Sequence, residues 1–201
     1  MIDLIKQEKV VAIFRGLDME ALLPKVELLL QYNLPLMEIT LNSPSAVEMI
    51  SSLKERYGND IHLGAGTVTK AEEVEQVKDA GATYIISPNM DKDVIQKTKA
   101  LDMISIPGVM TPTEMQQATE YGADMLKVFP AMNMGMDYIK NVKGPFPEMS
   151  FMATGGVNDK NVRQFIESGY DAVGIGSSLT ANKDEADLKR QLEVYAKLKS
   201  L

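Results

Sequence analysis

One pattern recurs along the whole chain: a short apolar run is followed by a turn and then by an amphipathic segment with helical spacing. Helical connections between consecutive strands require a parallel sheet, and eight such units are the number that closes a (β/α)8 barrel. We therefore predict that residues 1–201 form one α/β domain, a compact (β/α)8 TIM barrel. The predicted strands are Val10–Phe14, Leu36–Thr40, Ile61–Gly64, Tyr84–Ile86, Met103–Ile106, Met125–Phe129, Phe151–Ala153 and Ala172–Ile175.

The helices of this barrel are expected after each strand. They are predicted at Met19–Tyr32, Ser45–Tyr57, Ala71–Ala80, Lys92–Ala100, Thr113–Tyr121, Met136–Asn141, Lys160–Ser168 and Asp184–Lys199. The pair Ser43-Pro44 suits a helix entry, with serine as the N-cap and proline at the first helical position. Met1–Lys6 is predicted to form a short helix that covers the barrel bottom. An open doubly wound sheet is the main alternative, but no Gly-x-Gly-x-x-Gly follows the first strand, and regular spacing favours closure.

Composition removes several classes of function. Lys plus Arg is 21 and Asp plus Glu is 28, a formal net charge of −7 that is spread along the chain, which argues against a nucleic-acid partner. The chain has no cysteine and only one histidine, His62, which argues against a thiolate or multi-histidine metal site. No apolar run approaches the roughly 18 residues of a membrane span, and Met1–Lys9 lacks the apolar core of a signal peptide. We expect no membrane association and a cytoplasmic location.

Lys127 is the most unusual residue of the sequence, because it lies inside the apolar strand Met125–Phe129, which Pro130 ends. Burial disfavours the charged ammonium and can make the free amine available as a nucleophile at neutral pH. The alternative is a structural lysine whose stem is packed while its head reaches water or a carboxylate.

Glu38 is the second unusual residue, an acid within the otherwise apolar strand Leu36–Thr40. Either face of such a strand is dry, so the carboxylate requires a partner or a function. A buried structural ion pair with Lys127 or Arg15 is one interpretation. The second is that Glu38 and Lys127 face one cavity, where a carboxyl of raised pKa moves protons beside an amine of lowered pKa.

Glycine-rich loops follow the last two predicted strands, at Gly155-Gly156 and at Gly176-Ser177. Glycine lets the backbone approach a ligand closely, and barrels of this kind commonly hold a phosphate between these two loops. The alternative is a pair of ordinary turns. Their position after strands seven and eight favours phosphate binding.

Further candidates lie at the strand ends that form the catalytic face of a barrel. Arg15 can clamp a carboxylate, and Thr67 offers a hydroxyl to a substrate oxygen. Pro88 follows the fourth strand and Thr154 follows the seventh. His62 begins a strand on the opposite side, and we expect no role for it.

Seven segments, in order over nearly the whole chain, form one set. They are Glu38–Thr40, Gly64–Val68, Ser87-Pro88, Pro107–Glu114, Lys127–Ala131, Lys143–Pro147 and Thr154–Val157. Together they resemble the KHG/KDPG aldolases, class I enzymes that cleave 2-keto-3-deoxy-6-phosphogluconate and, in some members, 4-hydroxy-2-oxoglutarate.

The resemblance implies that Lys127 is the Schiff-base lysine and Glu38 the acid/base. It also implies a pyruvate pocket lined by Arg15, Thr67, Pro88 and Phe129, with Thr154 at the substrate, and a phosphate site at Gly155, Gly156, Gly176 and Ser177. The substrate implied is a phosphorylated keto acid, with no metal or cofactor. The assembly implied is a homotrimer.

The chain departs from the family pattern after the second strand. Some members have Leu-Arg-Thr there, whereas this chain has Leu41-Asn42-Ser43-Pro44, which resembles the aldolases for the galactonate epimer. Thr154 matches the gluconate type instead. We expect cleavage of 2-keto-3-deoxy-6-phosphogluconate, with the phosphogalactonate epimer as the alternative.

Two different functions also fit these residues. One is a phosphosugar epimerase or isomerase that uses Glu38 as its base and Lys127 only as an electrostatic partner. The second is a noncatalytic phosphosugar-binding barrel that keeps only the glycine loops.

Overall fold

The computed structural model describes residues 1–180 and 184–201 and confirms the predicted barrel of parallel strands alternating with helices. In these ranges the strands are β1 Val10–Phe14, β2 Leu36–Thr40, β3 His62–Gly66, β4 Tyr84–Ile86, β5 Ile104–Ile106, β6 Gly108–Val109, β7 Leu126–Val128, β8 Phe151–Thr154 and β9 Ala172–Ile175. Each pairs in parallel with its neighbours in the order β5-β4-β3-β2-β1-β9-β8-β7-β6.

Helices connect most consecutive strands on the outside of the sheet, and further helices precede β1 and follow β9. They are α1 Ile2–Glu8, α2 Met19–Gln31, α3 Ala46–Tyr57, α4 Ala71–Asp79, α5 Lys92–Ala100, α6 Pro112–Glu120, α7 Tyr138–Lys143, α8 Val162–Glu167, α9 Ser177–Thr180 and α10 Glu185–Ala196. Two 3₁₀ turns, Ala131–Met134 and Lys197–Ser200, precede α7 and follow α10. The turn at Ala131–Met134 and the four-residue α9 were not predicted, since segments so short carry little helical periodicity, whereas Lys197–Ser200 overlaps the end of the helix predicted at Asp184–Lys199.

The sheet closes through a fifth strand that is split in two. β5 pairs with β4 and β6 pairs with β7, and Pro107 alone separates β5 from β6. Proline has no N–H to donate to a ladder, but its carbonyl still accepts from the Lys127 amide at 2.9 Å. The carboxylate of Asp124, just before β7, accepts from the Ser105 amide of β5 at 2.8 Å. The chain itself therefore joins the two ends of the sheet.

The barrel interior and the layer between barrel and helices form two separate apolar clusters. Strand side chains alternate between two faces, so Leu36 and Met37 fall in different clusters. α1 covers the bottom of the barrel, as predicted, and its fully buried Ile5 belongs to the interior cluster with Val11 and Met152.

The entry to α3 differs from the prediction. α3 begins at Ala46 and follows Ser45, so Ser43 is not the N-cap and Pro44 is not at the first helical position. The Ser43 hydroxyl contacts Thr40 and the Gly16 amide instead. The Ser-Pro pair predicted a cap because a serine before a proline has the same local pattern in a helix start and in a loop.

Candidate active site

A cavity of about 270 Å³ opens at the carboxyl ends of β1, β2, β7, β8 and β9. Nine of the predicted site residues line it. These are Arg15, Glu38, Lys127, Phe129, Thr154, Gly155, Gly156, Gly176 and Ser177. Because side chains alternate along a strand, the inward register that places Leu36 in the interior also places Glu38 there. By the same alternation, Lys127 points inward like Met125, and Thr154 points inward like Met152.

Lys127 lies at the centre of β7, between Gly108 of β6 and Met152 of β8, and is only 5% exposed. Burial in the barrel lowers the pKa of its amine; the nearby Glu38 carboxylate opposes this shift and the Arg15 charge adds to it. The Lys127 Nζ atom lies 4.9 Å from the centre of the Phe129 ring. The amine is therefore more readily neutral than an ordinary lysine, as a nucleophile requires.

Glu38 is 1% exposed, and its Oε2 atom has no hydrogen-bond partner among the described residues. Burial raises the pKa of this carboxyl, against the opposing effects of Lys127 and Arg15. Gly66 of β3 makes room for it, because a side-chain carbon at Gly66 would overlap the Glu38 carboxyl. In the part of the chain that the structure describes, Glu38 forms no salt bridge with Lys127 or Arg15. This geometry does not support a structural ion pair.

The ring of Tyr84 fills the barrel interior beside these groups. A side chain on Gly64 would overlap the ring, and the Tyr84 hydroxyl donates to the Met37 carbonyl at 2.7 Å. Burial raises the pKa of this phenol well above its ordinary value, and the nearby Glu38 adds to the shift. Tyr84 therefore stays neutral and holds β2 next to Glu38.

Arg15 follows β1 and remains exposed while it lines the cavity. Its guanidinium forms no ion pair with any residue in the ranges 1–180 and 184–201. Five N–H donors are thus available to an anionic ligand at this position.

The loop after β8 requires its two glycines. Gly155 and Gly156 have φ of 86° and 82°, a left-handed conformation, and a side-chain carbon on Gly156 would lie 2.5 Å from Met132 Cβ. The Gly156 carbonyl accepts from the Asn161 amide at 2.9 Å, and the Gly155 carbonyl accepts from the Met132 N–H at 3.1 Å. Both carbonyls are thereby turned toward the protein.

Thr67 and Pro88 do not line this cavity. They follow β3 and β4 at the same edge of the barrel, and both are half-buried. Thr67 has φ of 59°, an uncommon conformation for a β-branched residue. The backbone of Pro88 packs where a side chain on Gly108 would otherwise be.

Four lining residues were not predicted, namely Ile13, Val157, Gly174 and Thr180. The alternation that places Arg15 at the cavity also places Ile13 there, and Thr180 lies three residues after Ser177 on one helical face. The strand alternation was therefore sufficient to find Ile13, whereas Thr180 lies on the short helix α9, which the periodicity did not predict.

Within the described residues, no group of three or more His, Asp or Glu side chains is placed to hold a metal ion. None of the described helices has the length and apolar character needed to cross a membrane.

Comparison with known proteins identifies the family of this chain. The family model for KDPG and KHG aldolase matches residues 1–194. This chain belongs to the KDPG and KHG aldolase family. The 2-dehydro-3-deoxy-6-phosphogalactonate aldolase of Escherichia coli is 36% identical over 84% of this chain and 83% of its own length. The 2-dehydro-3-deoxy-phosphogluconate aldolase of Pseudoalteromonas atlantica is 30% identical over 82% and 76%.

A solved structure adds chemical detail about the family. The KDPG aldolase of Legionella pneumophila, with pyruvate captured as a covalent carbinolamine, matches with a TM-score of 0.82 and 26% identity. The match covers 99% of this chain and 96% of that one. Since the family consists of aldolases, this chain is a carbon–carbon lyase.

The electrostatics of this aldolase site predict how Lys127 responds to its neighbours. Reductive methylation, followed by mass spectrometry across a pH series, reports the neutral fraction of each amine. We expect Lys127 to react at lower pH than an ordinary lysine. Glu38→Gln should lower its midpoint pH further, because the carboxylate stabilises the ammonium, and Arg15→Gln should raise it.

The exposed Glu120→Gln serves as the control and should leave the midpoint unchanged. A wild-type midpoint at the ordinary lysine value, about 10.4, would contradict the burial effect.

Proposed function

We propose that the protein is a class I aldolase that cleaves a phosphorylated 2-keto-3-deoxy sugar acid into pyruvate and glyceraldehyde 3-phosphate. The observation that carries the proposal is the buried pair of Lys127 and Glu38, which line one cavity without a salt bridge between them. Desolvation shifts the pKa of the amine down and that of the carboxyl up, as a nucleophile and a proton shuttle require.

The reaction begins when the neutral Lys127 amine attacks the C2 carbonyl of the substrate. Glu38 moves protons as the carbinolamine loses water, and the protonated imine that results is an electron sink. The Glu38 carboxylate then removes the C4 hydroxyl proton, the C3–C4 bond breaks, and its electron pair moves toward the imine nitrogen. The aldehyde leaves, and protonation of the enamine at C3 followed by hydrolysis releases pyruvate and the free amine.

The two ends of the substrate meet different parts of the cavity. We assign the carboxylate to Arg15, whose guanidinium has no partner in the described ranges. We assign the phosphate to Gly155, Gly156, Gly176 and Ser177, which lie on the neighbouring loops after β8 and β9. Phe129 contacts the Lys127 amine and forms one wall of the pyruvate pocket. Thr67 and Pro88 stay proposed members of that pocket through the family resemblance alone.

Two epimers are candidate substrates, each with its own support. The match of Thr154 to the gluconate type of the family favours the gluconate epimer. The buried Thr154 hydroxyl lines the cavity and lacks a partner among the described residues, so it is available to the C4 hydroxyl of a substrate. The segment Leu41–Pro44 and the 36% identical phosphogalactonate aldolase of E. coli favour the galactonate epimer. 4-Hydroxy-2-oxoglutarate is a further candidate by family resemblance.

The resemblance also leads us to propose a homotrimer. The cytoplasmic location stays a prediction from the sequence.

Trapping with borohydride tests the covalent step directly. We expect reduction in the presence of pyruvate to add the pyruvate-derived group to Lys127, and Lys127→Arg to abolish the adduct, because guanidinium forms no imine with pyruvate. Mass spectrometry of the digested protein identifies the modified residue. An unmodified protein, or an adduct on another lysine, would overturn the proposal and favour a noncatalytic binding barrel or a phosphosugar isomerase.

Glu38→Gln tests the proton shuttle. We expect turnover to fall by at least ~100-fold, the lower range for loss of a general acid/base. The exposed variant Glu120→Gln is the matched control and should keep normal turnover. Near-normal turnover in Glu38→Gln would remove Glu38 from the mechanism.

Side-by-side assays of the two epimers and 4-hydroxy-2-oxoglutarate, with wild type and Thr154→Val, test the specificity. If Thr154 contacts the C4 hydroxyl of the gluconate epimer, Thr154→Val should lower kcat/KM for that epimer by about fivefold or more, the value of one hydrogen bond. The galactonate epimer should be unaffected. Thr98→Val, which removes a fully buried hydroxyl on α5, is the control.

A wild-type preference for the galactonate epimer, unchanged by Thr154→Val, would show that the segment after β2 is the better guide to specificity.

A further inference from the structure

Two buried hydroxyl groups lie beneath the loop that carries Arg15, and no step of the proposed mechanism uses them. Thr40 is fully buried and Ser43 is 8% exposed. The Ser43 Oγ atom accepts from the Gly16 amide at 2.8 Å, and the Thr40 hydroxyl donates to the Phe14 carbonyl at 3.2 Å. The two hydroxyl oxygens are 3.1 Å apart.

The direction of each hydrogen bond follows from the number of protons available. A hydroxyl has one proton to donate, and that of Thr40 is directed to the Phe14 carbonyl. The proton between the two hydroxyls therefore comes from Ser43. The chain of hydrogen bonds therefore runs from the Gly16 N–H through the Ser43 and Thr40 hydroxyls to the Phe14 carbonyl. Each hydroxyl donates once and accepts once.

This chain of hydrogen bonds begins and ends on the two residues that flank Arg15. The peptide groups on both sides of the Arg15 Cα atom are thereby fixed to β2 and the loop after it. Gly16 has φ of 69°, a conformation that glycine adopts without strain, so the backbone turns sharply just after Arg15. The Arg15 side chain itself is exposed and has no ion-pair partner within the described ranges.

We propose that Thr40 and Ser43 are positioning residues that hold the Arg15 backbone so that its guanidinium meets the carboxylate of the keto acid. This inference rests on the proposed function. A fixed backbone reduces the conformational freedom that a long side chain loses when it binds a ligand, and so strengthens binding without any contact of its own. Ser43 therefore acts on substrate affinity through Arg15, not on the chemistry at Lys127.

The test measures how borohydride trapping at Lys127 depends on pyruvate concentration. We expect Ser43→Ala to raise the half-saturating pyruvate concentration about fivefold, the factor that corresponds to one neutral hydrogen bond, with the same maximal trapping rate. Ser43→Thr, which restores the hydroxyl, should recover the wild-type value. Ser168→Ala is the matched control, because Ser168 is also 8% exposed and its hydroxyl is also hydrogen-bonded, but to the Gln164 carbonyl and not to a residue beside Arg15.

A double-mutant cycle separates positioning from a general structural role. In the Arg15→Gln background, Ser43→Ala should cause no further change, because the group it positions is absent. Additive effects would show that Ser43 acts independently of Arg15 and would overturn the proposal. Thr40→Val removes the second hydroxyl at similar volume and should raise the half-saturating concentration in the same way, which keeps the test available if Ser43→Ala does not fold.

The outcomes distinguish this proposal from the proposed function. If wild-type Lys127 is not trapped with pyruvate, the aldolase mechanism fails and the positioning role fails with it. If wild type is trapped normally and Ser43→Ala has an unchanged half-saturating concentration, the positioning role alone is overturned.

Discussion

Closure of the barrel is the constraint on which the site depends. Glu38 is on β2 and Lys127 is on β7, and in the sheet order the strands β1, β9 and β8 lie between them. In a flat sheet, four steps of about 4.8 Å would separate the two strands by about 19 Å. Closure curves the sheet so that their inward side chains line one cavity of about 270 Å³. The split fifth strand makes this possible, since β5 pairs with β4 and β6 pairs with β7.

Within that closed interior, desolvation is the largest influence on both ionisable groups. A short salt bridge would oppose it, because each charge stabilises the other and holds both groups ionised. The described residues contain no such bridge, so burial lowers the pKa of the Lys127 amine and raises that of the Glu38 carboxyl. Gly66 contributes by leaving the volume that the Glu38 carboxyl occupies. The reactivity proposed for the site is thus a consequence of packing as much as of residue identity.

The positions of most strands and the identity of the main site residues could be predicted from the sequence, because both depend on the local pattern of apolar and charged residues. A charged residue in an apolar strand can be recognised from the sequence alone, so Lys127 and Glu38 could be selected as candidate catalytic residues. The predicted barrel then gave the reason to expect both side chains in one cavity. Features that depend on neighbours were less accessible. The extension of β3 to Gly66 could not be seen, because glycine has no strand signature and that segment is ordered by pairing with β2. Ser43 was predicted to be a helix cap because Pro44 follows it. Its hydrogen bond with the Gly16 amide, 27 residues away in the sequence, leaves no mark in the local pattern.

The overall charge of the protein makes the local arrangement of cations important. The formal net charge is −7, and the proposed substrate is an anion with a carboxylate and a phosphate. Solvent and salt screen surface charges beyond about 8 Å at physiological ionic strength, so the distant acidic residues contribute little repulsion at the cavity. In the proposed substrate complex, Arg15 and the backbone of the glycine loops attract the anion at short range, where screening is weakest. Fixing the backbone around Arg15 through Ser43 and Thr40 keeps that short-range attraction at the cavity even though the guanidinium is exposed to water.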